Sequence, residues 1–331
     1  MAVYTSVNRS ELSDFLLQYS LGELVEFSEI GDGIENSNYF VTLAPQNEER
    51  VGRDAGNGQH QKWVLTLFEN LKAQELPFFL QLMTWLAEKG FPVPAPCVRK
   101  DGTLNGTLRG KPSILVPCFN GRSLDNPAPA HCERVGKLIA EMHQALIHCP
   151  QQRSAPRNID WMRSQASRLS GLIPQSDMKL LRSAIDHYGT MKPEMEQCPS
   201  GVIHADLFKD NVLFDGDEIS GVIDFFHACN DSLLFDLAVA ANDWAVDGKQ
   251  QYDKLRLNAL VTGYQSVRPW SDSECSLWPS FLHLAALRFW LSRLESRYMP
   301  GYQKVSTQGD KTKEPDELKR IILNLGLVAT K

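Results

Sequence analysis

Apolar positions recur at two different periods along this chain, and the change of period divides it. Residues 8–19 place Leu12, Phe15, Leu16 and Tyr19 on one stripe, with Asn8 able to cap the segment and Glu11 three residues on, so a first helix is predicted. "VEFSEIGDGIENSNYFVTLA" (25–44) reads as strand, Gly-rich turn, strand, and "KWVLTLFE" (62–69) as a third strand. The polar stretch 45–61 between them reads as a long hairpin connection. "ELPFFLQLMTWLAEKG" (75–90) has helical periodicity and stops at Gly90, and "GKPSILVPCFNG" (110–121) is an apolar strand running into a turn. Beyond it the period is helical over 131–148, 160–171, 176–197, 232–245, 250–265, 273–298 and 315–325. The one exception opens with "GVIHADLFKDNVLFDGDEISGVIDFF", which reads strand, loop, strand, turn, strand. This shift predicts an α+β chain of two parts, 1–117 rich in strands and 118–331 mostly helical.

Composition narrows the classes without choosing among them. The 331 residues carry 43% apolar and 22% charged side chains, as folded domains do. A net charge of −6 disfavours nucleic acid and anionic membrane as partners. No apolar run reaches the roughly 18 residues of a membrane span, and the N-terminus lacks the pattern of a secretory signal. Seven scattered Cys without a C-x-x-C pair point to reduced thiols and a cytoplasmic location.

The chemistry concentrates in "VIHADLFKDNVLF" (202–214). His204, Asp206 and Asn211 share one tight connection between apolar runs, and Asp224 ends the following strand. Polar groups between such buried runs need mutual partners, a metal or a substrate. An Asp there can accept a proton from a hydroxyl, and an Asn oxygen with a carboxylate suits a hard cation such as Mg²⁺. H-x-D-x-x-x-x-N followed by Asp on a later strand is the spacing of a kinase catalytic loop. A polar turn with capping side chains would use the same residue types, so the strand context and the order of the two parts add the weight.

At these residues the chain resembles the aminoglycoside phosphotransferase/choline kinase-like superfamily. The blocks "GDGIENSNYFVTL", "ELPFFLQLM", "HADLFKDNVLF", "IDFFHACND" and "ALRFWLSRL" are similar in order and wording to the homoserine kinase family within it, along nearly the whole chain. The resemblance implies a protein-kinase-like two-lobe fold. A small β-rich N-lobe covers the nucleotide, and a larger, mainly helical C-lobe carries a catalytic β-hairpin. It implies phosphorylation of the side-chain hydroxyl of L-homoserine by ATP with Mg²⁺, for threonine synthesis, in a monomer or a homodimer.

Residue by residue, the resemblance makes Asp206 the base or orienting carboxylate and gives Asn211 and Asp224 to Mg²⁺, with His204 bracing the loop. Gly31, Gly33, Asn36 and Asn38 would lie over the ATP phosphates, and the backbone of Val116 to Cys118 would meet the adenine edge. One departure stands out: the third strand reads Val64-Leu65-Thr66 where most of the superfamily carries a phosphate-binding Lys. Lys62 lies on the same strand face but about 13 Å away by strand rise. The ion pair that Glu75 would make with that Lys is therefore in question, and Glu75 could serve simply to start a helix.

A homoserine site needs a cation for the carboxylate, an acceptor for the ammonium and a base near the hydroxyl. Arg157 and Arg288 are the candidates for the first. Asn230, Asp231, Asn242 and Asp243 are available for the second, with Asp231 and Asn242 taken as substrate contacts. Asp236 and His143 read as structural. Arg157 and Arg288 weigh against choline, which has no carboxylate, but not against hydroxylysine. The missing strand Lys leaves a nucleotide-binding pseudokinase as the reading from another class.

Overall fold

A computed structural model describes residues 4–31, 36–44, 61–299 and 314–327. The chain divides into two compact units after Asn120.

The first unit opens with α1 (Arg9–Leu16), whose start is fixed by a reciprocal cap. Asn8 Oδ1 accepts the Glu11 N–H at 3.0 Å, and Glu11 Oε2 accepts the Asn8 N–H at 2.9 Å. The strands β1 (Glu23–Glu29), β2 (Asn36–Ala44), β3 (Gln61–Phe68), β4 (Gly106–Leu108) and β5 (Lys111–Pro117) form one antiparallel sheet in the order β1-β2-β3-β5-β4. Alternation on β2 sends Tyr39, Val41 and Leu43 to one face, where they meet Leu12, Phe15 and Leu16 of α1 and Leu65 and Leu67 of β3. The helix α2 (Leu76–Glu88) follows β3. It ends where Gly90 takes a left-handed φ of 85° and the Phe91 N–H reaches the Leu86 carbonyl at 3.1 Å. β4 has three residues, too few to show a period, and only its pairing with β5 makes it a strand.

The second unit carries α3 (Pro129–Leu146), α4 (Ile159–Arg168), α5 (Gln175–Met195), α6 (Leu233–Trp244), α7 (Lys254–Gln265), α8 (Asp272–Tyr298) and α9 (Pro315–Leu325). Each overlaps a predicted helical segment. α7 starts four residues later than expected because Asp253 caps it, accepting the N–H groups of Leu255 and Arg256 at 2.9 and 3.1 Å. α3 and α7 touch backbone to backbone. A Cβ on Gly136 would lie 1.9 Å from the Leu260 carbonyl oxygen, and one on Gly263 would lie 2.0 Å from that of Glu133. Only hydrogen fits at either place.

Between α5 and α6 run β6 (Ser200–Ile203), β7 (Val212–Asp215), β8 (Glu218–Val222) and β9 (Cys229–Ser232). The two strands flanking the 204–211 loop do not pair with each other: β6 pairs with β9, and β7 with β8. "CNDS" (229–232) shows no strand pattern in sequence, and its partner β6 decides its conformation.

Candidate active site

The loop after β6 is held from below by one helix. α6 carries Asp236, Asp243 and Trp244 at a spacing of seven and eight residues, two turns apart on one face. Asp236 Oδ2 accepts the His204 N–H at 3.0 Å, and its Oδ1 accepts the Ala205 N–H at 2.7 Å. Asp243 Oδ2 accepts the Lys209 N–H at 2.6 Å, and Trp244 Nε1 donates to the Leu207 carbonyl at 3.1 Å. Four successive points of the loop backbone are thus tied to one rigid element. Asp236 is fully buried. Burial opposes its charge, but the hydrogen bond and proximity of His143, with His204, hold its carboxyl below the usual range.

His204 links this loop to the next strand turn. Its Nε2–H donates to the Ile223 carbonyl at 3.0 Å, and its ring lies tilted against Phe225 with the ring centres 4.4 Å apart. Burial lowers its pKa, so the ring is neutral and its role is to brace. Asn211 sits in a 3₁₀ turn (Lys209–Asn211), and its Nδ2 donates to both the carbonyl and Oδ2 of Asp206, at 2.7 and 3.1 Å. The Ile223 N–H closes onto the Asn211 carbonyl at 3.0 Å, which brings Asp224 beside the loop. Ala205 and Asp224 take left-handed φ values of 64° and 65°. Asp adopts that region more readily than most residues, whereas Ala205 is strained there, and strain of this kind collects at functional sites.

A Mg²⁺ site of two oxygen ligands fits this arrangement. The Asn211 amide spends its nitrogen on Asp206, so its carbonyl oxygen is oriented away from that partner. Among the described residues no group of three or more His, Cys, Asp or Glu could cage a metal. Mg²⁺ in phosphoryl transfer typically uses one or two protein ligands with phosphate and water for the rest.

The predicted substrate residues separate. Arg288 on α8 is buried, with Nη1 donating to the Ala205 carbonyl at 3.3 Å and its guanidinium 4.2 Å from the Phe289 ring centre. Burial, and then Arg157, draw its pKa down to about 10, partly offset by Asp206 and Asp231. Neither Arg288 nor Arg157 has a salt bridge among the described residues. Asp231 on β9 accepts the Ser232 N–H at 2.7 Å, and burial raises its pKa. Around this cluster stand two residues that sequence reasoning passed over. Arg153 donates to the Ala228 carbonyl at 3.2 Å, and its backbone pairs with Asn230. His227 is held neutral, well below its ordinary pKa, by burial and then by Arg157, Arg288, His204 and Arg153. Arg288, buried, and Arg153 and Arg157, half-buried, thus all act on His227, and a concentration of Arg of this kind suits an anion.

Asn242 does not join them. Its Nδ2 donates to the Leu282 carbonyl at 3.0 Å and its Oδ1 accepts the Tyr252 hydroxyl at 2.5 Å, so both ends of a buried amide are committed to the fold. Asp243, in turn, is used on the loop backbone.

In the first unit, Asn36 and Asn38 belong to β2 and not to a turn. They pair in register with Phe68 and Thr66. Asn38 Oδ1 accepts the Thr66 hydroxyl at 2.8 Å, so a neutral hydrogen-bonded pair occupies the place of the strand Lys. The Gly31 Cβ position is open, with no heavy atom within 4 Å. Gly33 lies outside the described residues, as does the 45–60 connection. Val116 pairs with Val64, and the Cys118 N–H donates to the Lys62 carbonyl at 3.1 Å. The Cys118 amide is therefore a sheet group and not a donor to a base edge. Glu75 stands at the start of α2 with Oε2 on the Lys72 N–H at 3.2 Å.

The chain belongs to the phosphotransferase enzyme family, whose sequence model matches residues 26–270. Within that class it is 42% identical over 300 residues to a homoserine kinase of Methylobacillus flagellatus, covering 91% of this chain and 89% of the relative. It is 41% identical over 329 residues to a homoserine kinase of Neisseria meningitidis serogroup B, covering 98% and 100%. The fold is protein-kinase-like. It is similar to that of an amicoumacin kinase solved with AMP-PNP and Ca²⁺ (TM-score 0.67, 14% identity, 96% of this chain and 93% of the other). A spectinomycin phosphotransferase solved with ADP is similar at a TM-score of 0.61, 14% identity and 98% coverage of both chains.

Proposed function

We propose that the chain is a homoserine kinase, transferring the γ-phosphoryl group of Mg·ATP to the side-chain hydroxyl of L-homoserine and yielding O-phospho-L-homoserine for threonine synthesis. The observation that carries this reading is identity above 40% along nearly the whole length of curated homoserine kinases. The anchored loop supplies the chemistry. Asp206, oriented by the Asn211 amide, accepts the proton of the hydroxyl as its oxygen attacks phosphorus. Asn211 and Asp224 would hold Mg²⁺, which when bound neutralises charge on the phosphates. Arg288 and Arg157 take the α-carboxylate, and Asp231 takes the ammonium. The first unit contributes nucleotide contacts through Gly31 and the backbone near Val116. All seven Cys are free thiols, which suits a reducing cytoplasm.

Hydroxylysine shares the zwitterion and the hydroxyl, so the test must include it. ADP release from Mg·ATP is followed against L-homoserine, hydroxylysine, choline and no acceptor. Rapid release with homoserine alone is the expected result. Release with another amine would keep the phosphotransferase chemistry and discard the substrate. Nucleotide binding without release to any acceptor would favour a pseudokinase.

A further inference from the structure

The carboxylate that grips the catalytic loop is itself the end of a longer buried chain. Arg268 Nε–H donates to the Tyr264 hydroxyl oxygen at 2.9 Å. With that oxygen already accepting, the Tyr264 O–H is free to donate to His143 Nδ1, 2.9 Å away. His143 Nε2 then carries the proton and donates to Asp236 Oδ2 at 3.0 Å. Burial holds the Tyr264 phenol above its ordinary pKa, so it remains a donor. Tyr264, His143 and Asp236 are all buried, and at its outer end Arg268 is ion-paired to Glu274 at the start of α8. Every donor points the same way, toward Asp236.

The helix contact sets this chain's length. Gly263 is next to Tyr264, and Gly136 lies two turns before His143 on α3. Backbone contact at these glycines brings phenol and imidazole within hydrogen-bond distance. None of Tyr264, His143 or Arg268 is near enough in sequence to the loop for a motif to include it.

We infer that His143 and Tyr264 are positioning residues for phosphoryl transfer, acting on Asp206 through Asp236 and the His204 and Ala205 N–H groups. This rests on Asp206 being the catalytic carboxylate. Asp236 keeps its charge in a dry site because three N–H donors face it: the His204 amide, the Ala205 amide and the His143 ring. The other titratable groups facing it are the His204 ring, whose own pKa burial lowers, Tyr264 from α7, and Asp231 and Cys229 from β9; none supplies a fixed positive charge. Without the imidazole donor, burial raises the Asp236 carboxyl. Once protonated it loses acceptor capacity, and the backbone one residue before Asp206 is released.

The test compares His143→Leu, His143→Gln and Tyr264→Phe in the full chain, measuring kcat, KM for ATP and the pH dependence of kcat. Gln places an N–H donor near the position of Nε2. For His143→Leu we expect kcat to fall about tenfold or more, KM for ATP to stay within about twofold, and the acid limb of kcat to move to higher pH. His143→Gln should restore most of kcat and return the limb. Tyr264→Phe removes one hydroxyl and serves if His143→Leu does not fold; it should lower kcat about threefold or more with the limb moving the same way. Unchanged kcat and an unmoved limb in a folded variant would overturn the inference. So would His143→Gln being as impaired as His143→Leu, since side-chain volume and not the donor would then matter. Turnover surviving in Asp206→Asn would instead strike the catalytic assignment, which these variants do not probe.

Discussion

Replacing Arg288 by Met is expected to stabilise the protein while disabling it. Arg288 is 5% exposed and has no salt bridge among the described residues. Burial and Arg157 bring its pKa from 12.5 to about 10, which at about 1.4 kcal/mol per pH unit is a penalty of roughly 3 kcal/mol for holding the charge. Met removes that penalty. It also removes the hydrogen bond to the Ala205 carbonyl and the contact with the Phe289 ring, together worth about 2 kcal/mol. The net is about 1 kcal/mol in favour of the variant. In a unit of roughly two hundred residues this raises Tm by about 2–4 °C. Arg288 has a lowered folded pKa, so its penalty is present at every pH below about 10 and fades only above it. The difference in Tm should therefore be flat from about pH 6 to pH 9. KM for homoserine should rise about 100-fold, from loss of charge-assisted hydrogen bonds to its carboxylate, with KM for ATP nearly unchanged. Thermal melts and initial rates on one preparation measure both. A Tm lowered by several degrees, with both KM values rising together, would make Arg288 a structural residue and refute the reasoning.

Asp206→Asn should reduce kcat by about 10³-fold or more while leaving Mg·ATP affinity within about threefold, measured by calorimetry beside turnover. Asp224→Ala should weaken nucleotide binding in the presence of Mg²⁺ and leave the metal-free affinity alone; titrations with and without EDTA separate the two. Gly263→Ala drives a methyl to 2.0 Å from the Glu133 carbonyl, so α3 and α7 must part, destabilising the protein by about 2–4 kcal/mol in urea unfolding. The same separation stretches the contact between His143 and Tyr264, and kcat should fall with it.

Much of the architecture was legible because local physics and tertiary environment agree. The reciprocal cap at Asn8 and Glu11 and the Gly90 stop each satisfy backbone groups within a few residues, and helices of ten or more residues repeat their apolar face often enough to be recognised. The geometry of the 204–211 loop was legible for a similar reason: Asp206 and Asn211 contact each other across five residues, so their spacing is the contact. The substrate end was less so. Asn242 and Asp231 are equally polar on paper, and only their surroundings separate them. One amide is consumed by Leu282 and Tyr252, while the carboxylate has a single backbone donor among the described residues. The resemblance puts Asn36 and Asn38 in the loop over the phosphates, yet pairing with β3 extends the strand over them.

The sequence by itself determined the α+β order, the helices, the buried strands around 202–224 and the cluster of polar residues between them to which the chemistry is assigned by proposal. These depend on period, capping and short-range spacing. Tertiary structure alone decided which of those residues are available. Whether a buried polar side chain is spent on the fold or left facing a ligand depends on partners tens to hundreds of positions away. The fold pairs His143 with Asp236, Arg288 with the Ala205 carbonyl, and β6 with β9 and not β7. Hydrogen bonds saturate, and no local pattern records which partner has already taken the donor.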